Sequence, residues 1–291
     1  MNYQEVLSQI RDAFIHQDRF SGHKKVVEFF DDNNVFQWDI YNFYIREILA
    51  NGIPQYYTIT SPYDINWKSA PQQALVFREE KLIFNTDFSE QVKVRTGCMD
   101  TVFLRSLGIE SLKDKKILIV GSGGTAKYAY LFLKDSFSDI WSIDYVNRSG
   151  PHAEFESLGN LRYIPMPDMS QYDIILLHAH VDEPYLRSEN RSQMKDGVII
   201  ISYGWKTPER DISPTFFTTQ DTVIVDMYTN IENLKPLKTA LDLWYIQQAE
   251  IFDLGKVLSW EQKIKERKSI TICISGGTYI QNIAMMKYMM N

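Results

Sequence analysis

The 291-residue chain carries a net charge of −6, with 44% hydrophobic and 13% aromatic residues. This composition is typical of a globular protein and argues against nucleic acid as a partner, because a polyanion binds to a basic surface. No apolar run approaches the roughly 18 residues that cross a bilayer. The two cysteines, Cys98 and Cys273, are too far apart for a zinc ribbon or a disulfide framework. We therefore expect a cytoplasmic protein without nucleic-acid or membrane partners.

The first 90 residues or so differ in pattern from the rest of the chain. The opening MNYQEVLSQIRDAFIHQ has one apolar helical face and is predicted to form an amphipathic helix. The segment FQWDIYNFYIREIL (36–49) places large aromatic residues at helical spacing, which is typical of a core or a dimer interface. With the turn-rich stretches around it, this pattern indicates a mixed α+β unit.

From Ile117 onward, short β-branched runs alternate with longer amphipathic segments. Near-continuous apolar runs of this kind predict the strands of a parallel sheet that is covered on both faces. The sequence therefore predicts an α/β fold with a Rossmann-type doubly wound sheet. The runs are ILIV (117–120), IWSID (140–144), LRYIPM (161–166), DIILL (173–177), VIIIS (198–202), TVIVD (222–226) and SITICIS (269–275).

A glycine pattern follows the first of these runs. Gly121, Gly123 and Ala126 form G-x-G-x-x-A at the start of a predicted helix. In a dinucleotide-binding turn the first glycine allows the tight turn, the second lets the backbone approach a pyrophosphate, and the small third residue lets helix and strand pack. Free N–H groups at the helix start, from Gly124 and Thr125, would face the phosphates. A strand-turn-helix without a ligand can have the same pattern. The prediction of a dinucleotide-binding turn therefore also depends on the alternation of predicted strands and helices around it.

The residue that reads the ribose is predicted in IWSIDYVNRSG, at the end of the second strand. Asp144 lies about where an acidic residue binds the 2′-hydroxyl of NAD. Arg148, flanked by Asn147 and Ser149, would instead bind the 2′-phosphate of NADP in a forked geometry. The plainer alternatives are a strand-end turn former for Asp144 and a solvated charge for Arg148. The VNRS segment favours NADP(H), with NAD(H) as the alternative.

Four blocks, in collinear order, resemble the ornithine cyclodeaminase and mu-crystallin family. VKVRTGCMDTVFLRSLG (92–108) is similar to its R-T-G segment, and SITICISGGTYIQNIA to its closing S-x-G-x-x-I-Q block, with DIILLHAHVDEP and VIIISYGWKTPERDISPTFF between them. The similarity covers roughly residues 90–288. It implies a Rossmann domain (96–276) and a discontinuous α+β substrate and dimerisation domain (1–95 with 277–291) in a homodimer.

The resemblance also implies an activity, that of an NAD(P)H-dependent oxidoreductase acting on an imino or amino acid. Arg95 occupies the position of the arginine that holds the substrate carboxylate, with an interdomain salt bridge as the alternative. Thr96 would reach the cofactor phosphates, and Ser275 and Gly277 would lie near the nicotinamide. The alternative for these last two residues is a tight strand-to-helix turn.

Two polar residues of the family are missing from this chain. Tyr56 stands near the position of the family's lysine and Trp205 at that of its aspartate, so both are expected to line the substrate pocket. Without the two polar groups, cyclodeamination of ornithine is not expected. Hydride transfer to a protonated imine survives their loss, with His180 and Tyr203 as candidates for proton transfer. His178 and His180 lack the third ligand that zinc requires, so no metal is predicted.

Two hypotheses follow from this pattern of matches and departures. The first is an enzyme for a small imino or amino acid, or a carrier-bound one, within a specialised biosynthetic pathway. The second is a non-catalytic NAD(P)-binding or scaffold protein of the same fold, because the two family side chains are absent.

Overall fold

The computed structural model describes residues 1–30, 36–49, 53–64, 71–140, 142–179, 183–203, 211–264 and 269–290. Contacts divide the chain into two compact units, Met1–Arg95 with Tyr279–Asn291 and Thr96–Thr278. Within the described ranges, no helix is long and apolar enough to cross a bilayer.

Among the described residues, the five strands of the first unit follow one another without an α-helix between them, whereas α-helices separate several strands of the second unit. The helices are α1 (Tyr3–Ile15), α2 (Ser89–Ser106), α3 (Gly124–Ser136), α4 (Ala153–Glu156), α5 (Lys235–Asp242), α6 (Leu254–Leu258) and α7 (Tyr279–Met290). The strands are β1 (Phe20–Phe30), β2 (Phe36–Ile48), β3 (Pro54–Asp64), β4 (Gln73–Arg78), β5 (Lys81–Asp87), β6 (Ile117–Val120), β7 (Ile143–Val146), β8 (Leu161–Tyr163), β9 (Ile174–Leu177), β10 (Val198–Ser202), β11 (Asp221–Val225), β12 (Ile251–Asp253) and β13 (Ile270–Ile274).

The first unit contains a five-stranded antiparallel sheet in the order β1-β2-β3-β4-β5. The helical spacing read from segment 36–49 is wrong, because this segment is strand β2 and pairs with both neighbours along its length. Its end shows the two-residue period of a strand. Ile45 and Glu47 are buried, whereas Tyr44, Arg46 and Ile48 are exposed. Aromatic residues favour strands as well as cores, so their spacing alone does not separate the two structures.

Helices α1 and α7 pack on each other and complete the first unit. The predicted apolar face of α1 is buried through Val6, Ile10 and Phe14. The Asn2 side chain caps α1 by accepting a hydrogen bond from the backbone N–H of Glu5, and the Asn2 backbone N–H donates to the Tyr288 hydroxyl at 3.1 Å. The last helix of the chain therefore belongs to the core of the N-terminal unit.

The second unit contains an eight-stranded sheet in the order β12-β11-β13-β10-β9-β6-β7-β8, with every pair parallel. Seven strands coincide with the predicted runs to within a few residues, and the predicted Rossmann-type sheet is confirmed. The eighth strand, β12, has only three residues, which is too short for a periodic signal.

The strand order reverses beside β6. The chain runs from β6 to β7 and β8 on one side, and then returns to place β9 on the other side of β6. In open α/β sheets, ligands bind outside the carboxyl ends of the strands at such a switch point. The crevice at the carboxyl ends of β6 and β9 is therefore the expected ligand site.

Candidate functional site

The turn after β6 has the geometry that a dinucleotide-binding turn requires. Gly121 has a φ of +106°, and its N–H donates to the Val146 carbonyl at 2.8 Å. A Cβ atom on Gly121 would lie 2.9 Å from the Ala179 nitrogen and 2.9 Å from the His178 carbonyl carbon. Only glycine fits between β6 and the backbone that follows β9.

The next part of the turn leaves space for a bound group. A Cβ atom on Gly123 would meet nothing within 4 Å, and Gly123 precedes α3 without a capping side chain among the described residues. The first N–H groups of α3, from Gly124 onward, have no partner within the helix. Ala126 is buried and allows close packing of helix and strand. This cradle fits the pyrophosphate of a dinucleotide.

The R-T-G segment lies on α2, directly against the start of α3. A Cβ atom on Gly97 would lie 2.5 Å from the Ala129 nitrogen and 2.8 Å from the Thr125 carbonyl oxygen. Gly97 therefore sets the distance between α2 and the helix that carries the phosphate-binding turn. Thr96 is half-buried beside it, and its contact with the cofactor stays a prediction.

The prediction that Asp144 ends the second strand is wrong. Strand β7 runs to Val146, and Asp144 is its second residue, buried and paired across the sheet with Arg162. Its carboxylate accepts from Arg162 Nε at 2.8 Å and Nη2 at 3.0 Å, and from the Tyr172 hydroxyl at 2.9 Å. The strand end lies two residues later than the pattern indicated because the pairing with β6 and β8 sets it.

The strand end is instead followed by a tight turn that exposes Arg148. The Gly150 N–H donates to the Asn147 carbonyl at 3.1 Å, and the Asn147 side-chain amide donates to Ser149 Oγ at 3.1 Å. Arg148 and Ser149 are exposed at the tip of this turn. Arg148 makes no ion pair with any residue that the structure describes.

Arg95 lies on the part of α2 that belongs to the first unit. Only 8% of the residue is exposed, and its Nη1 donates to the side-chain oxygen of Gln281 on α7 at 2.7 Å. The Gln281 amide oxygen orients the guanidinium, whose forked N–H donors match the geometry of a carboxylate ligand. Gln281 was not predicted as a site residue, although it follows Ile280 as the glutamine of the matched S-x-G-x-x-I-Q block.

A buried polar cluster joins α2 to the ends of β9 and β10. Asp100 accepts from the Tyr203 hydroxyl at 2.7 Å on one oxygen and lies 2.8 Å from His178 Nε2 on the other. Burial, and next the Asp100 carboxylate, raise the pKa of Tyr203 well above its ordinary value. The Tyr203 hydroxyl therefore stays protonated and donates a hydrogen bond to Asp100. His180 and Trp205 lie outside the described residues.

Ser275 and Gly277 form a strand-to-helix turn between β13 and α7. The Ser275 hydroxyl donates to Asp226 Oδ2 at 2.8 Å, and Gly277 has a φ of +71°. Burial raises the pKa of Asp226 to about 6, although hydrogen bonds from Ser275 and neighbouring groups oppose the shift. Asp226 was not predicted as a site residue, and its position directly after β11 is the local signal for it. A contact of Ser275 or Gly277 with nicotinamide stays a prediction.

Tyr56 lies on the exposed face of the antiparallel sheet. It is 45% exposed and pairs with Arg46 on β2 and with Phe77 on β4. With Ser21, Tyr44 and Arg46 it lines an open groove of about 400 Å³. This groove is open and lies within the first unit, so a role of Tyr56 in an enclosed substrate pocket stays a prediction.

No protein-family model and no curated protein sequence matches the chain. Solved structures match nearly all of it at low identity. The Δ1-pyrroline-2-carboxylate reductase of Thermococcus litoralis, in complex with NADH and L-proline, is 15% identical with a TM-score of 0.78, over 99% of this chain and 92% of that chain. A probable ornithine cyclodeaminase from Bordetella pertussis Tohama I is 14% identical with a TM-score of 0.78, over 99% and 91%.

An archaeal alanine dehydrogenase dimer with bound NAD is 16% identical with a TM-score of 0.76, over 99% of this chain and 90% of that chain. The chain therefore has the fold of ornithine cyclodeaminase-like proteins. The resemblance inferred from its sequence is confirmed at the level of the fold.

Proposed function

We propose that the chain is an NAD(P)H-dependent oxidoreductase that reduces an imino acid or oxidises the corresponding amino acid. The observation that carries this proposal is the cradle formed by Gly121, Gly123 and the start of α3. Proteins of this fold include a reductase with bound NADH and L-proline and an alanine dehydrogenase with bound NAD, which supports the same chemistry here. Both cysteines are free and buried, in keeping with a cytoplasmic location.

The roles of the side chains follow from what each can donate or hold. A bound reduced nicotinamide would supply the hydride. Arg95 would hold the substrate carboxylate with two parallel N–H donors and fix the orientation of the imino carbon. The Tyr203 hydroxyl donates its hydrogen bond to Asp100 and is not the proposed proton donor. The proton of the product amine would come from His180 or from the iminium group of the substrate itself.

Cyclodeamination of ornithine is a poorer fit to the chain. That reaction needs an anchor for a second ammonium group and an acid/base residue, and Tyr56 and Trp205 stand where the related family has its lysine and aspartate. An aromatic residue at the second position favours an apolar or bulky substrate over a second amino group. A small or carrier-bound imino acid is therefore the proposed substrate class.

Titration of the fluorescence of the six tryptophans with NADPH and NADH tests the proposal and its cofactor preference. We expect tighter binding of NADPH, because Arg148 lies exposed beside Asn147 and Ser149 where a 2′-phosphate would approach. Arg148→Ala should weaken NADPH binding by roughly ten- to a hundredfold, the value of a charge-assisted contact, and leave NADH binding unchanged.

Arg187→Ala is the control, because it removes a partly exposed arginine, paired to Glu183, from another part of the same unit. Equal affinity of wild type and Arg148→Ala for NADPH would contradict the assignment of Arg148. If wild type binds neither nucleotide, the scaffold hypothesis replaces the oxidoreductase proposal.

We also propose a homodimer formed through the outer face of the antiparallel sheet. A cross-strand row of Tyr56, Phe77 and Leu82 adjoins Ile48, and Tyr56, Leu82 and Ile48 are 45%, 52% and 44% exposed. An exposed apolar patch of this kind marks an interaction surface.

Leu82→Glu should shift the sedimenting species from twice the 34.0 kDa chain mass towards the monomer, because a charge is then buried in the interface. Met166→Glu, at a residue that is 88% exposed in the other unit, should not.

A further inference from the structure

We infer that Asp100 is a positioning residue for the dinucleotide site, acting through His178 and Tyr203 on the backbone that faces Gly121. This inference rests on the cofactor binding proposed above. It adds three residues to that site, none of which belongs to the glycine turn.

The three side chains form one closed unit. The side chains of Asp100 and His178 are fully buried, and their hydrogen bond measures 2.8 Å from Oδ2 to Nε2. The Tyr203 ring stacks on the His178 ring with 4.9 Å between centroids and 22° between planes, while its hydroxyl donates to Asp100 Oδ1 at 2.7 Å. Each group of the cluster thus touches the other two.

The hydrogen bonds fix the ring of His178 in one orientation. A carboxylate only accepts hydrogen bonds, so both partners of Asp100 donate, and the His178 ring carries a proton on Nε2. Its Nδ1 atom is buried without a partner among the described residues. The bond to Asp100 is therefore the polar contact that holds this ring.

The backbone of His178 is also one wall of the crevice. His178 follows β9 directly, and its N–H donates to the Val120 carbonyl at the end of β6 at 2.8 Å. The carbonyl carbon of His178 and the nitrogen of Ala179 leave no room for a side chain on Gly121. The hydrogen bond between Asp100 and the His178 ring therefore anchors the residue whose backbone packs against the glycine turn.

Helix α2 holds the opposite wall as well. Gly97 lies one turn before Asp100 on α2 and packs against the first turns of α3. Residues three apart on a helix share a face. One helix face therefore contacts both the start of α3 and the cluster at the ends of β9 and β10, and so sets the width of the dinucleotide crevice.

Asp100→Ala tests the inference through two measurements. We expect the dissociation constant for the reduced nucleotide to rise about ten- to a hundredfold, the cost of displacing a binding wall by a fraction of an ångström to 1 Å. Asp100→Asn should recover part of the affinity, because its amide oxygen still accepts one hydrogen bond. Hydrogen exchange measured by mass spectrometry should accelerate in the peptides that contain Gly121 and His178.

Asp221→Asn is the matched control. Asp221 is an equally buried carboxylate of the same unit, bound by Arg191, and it opens β11 at the opposite, amino-terminal edge of the sheet. We expect it to lower the melting temperature without changing nucleotide affinity or exchange at Gly121 and His178. If Asp100→Ala does not fold, Asp100→Asn and Tyr203→Phe, which removes one hydrogen bond and keeps the ring, are measured in the same way.

The outcomes separate this inference from the proposed function. Folded Asp100 and Tyr203 variants that bind nucleotide as wild type does, with unchanged exchange at Gly121 and His178, would overturn the positioning role. Wild type that binds no nucleotide would instead remove the proposed function. The exchange measurement then decides alone whether Asp100 fixes the crevice wall.

Discussion

Arg95→Ala should abolish turnover of an imino or amino acid while leaving the affinity for reduced nucleotide close to that of wild type. Arg95 is buried beside Gln281, which orients the guanidinium through a 2.7 Å hydrogen bond. Loss of two charge-assisted hydrogen bonds to a carboxylate, and of the orientation they impose, should lower kcat/KM by roughly a thousandfold. The measurement follows oxidation of NADPH with a panel of cyclic 2-imino acids and of 2-oxo acids with ammonia.

Two variants on the same helix make this result specific. Arg95→Lys keeps the charge and loses the forked geometry, so it should retain only a small part of the activity. Lys93→Ala removes an exposed charge two residues away, which pairs with Glu90, and should leave turnover unchanged. A parallel loss of nucleotide binding and melting temperature in Arg95→Ala would assign Arg95 to structure. Nucleotide binding without turnover of any substrate by wild type would favour the scaffold hypothesis.

The second unit was predictable because its signals are local. Strands buried on both faces read as continuous apolar runs, and the glycine turn lies within one strand-turn-helix. The first unit was not, because the spacing of its aromatic residues fits a helix as well as a strand. The helical spacing predicted for the segment that forms β2 is wrong, whereas the mixed α+β class predicted for this unit is confirmed.

The candidate site shows the same division between local and distant signals. The positive φ of Gly121 follows from its place in the motif. The location of Asp144 inside β7 could not be predicted from the motif, because pairing with two other strands sets the end of β7. Asp100, His178 and Tyr203 come from three separate segments, and no spacing rule brings them together. A charged residue between the buried Met99 and Thr101 of α2 is the one sign that Asp100 has a partner.

Gly97→Ala should destabilise the second unit, because Gly97 packs against α3 beside the dinucleotide crevice. The new Cβ would lie 2.5 Å from the Ala129 nitrogen, 2.7 Å from Tyr128 Cβ and 2.8 Å from the Thr125 oxygen, and two of these are backbone atoms of α3. Alanine gains about 1 kcal/mol of helix propensity, but separating two packed helices costs more. We expect a net loss of about 2 kcal/mol, which lowers the melting temperature by roughly 4–8 °C for a domain of this size.

Gly108→Ala separates this steric effect from the general cost of replacing a glycine. Gly108 follows α2 with a φ of +73°, and a Cβ there would meet nothing within 4 Å, so its cost is the left-handed backbone alone, about 1 kcal/mol. Nucleotide affinity should fall only in Gly97→Ala, because only there does the start of α3 move. Equal melting temperatures and wild-type affinity in both variants would show that α2 does not fix α3. If nucleotide affinity falls only in Gly97→Ala, the glycine of the R-T-G segment sets the geometry of the phosphate-binding helix.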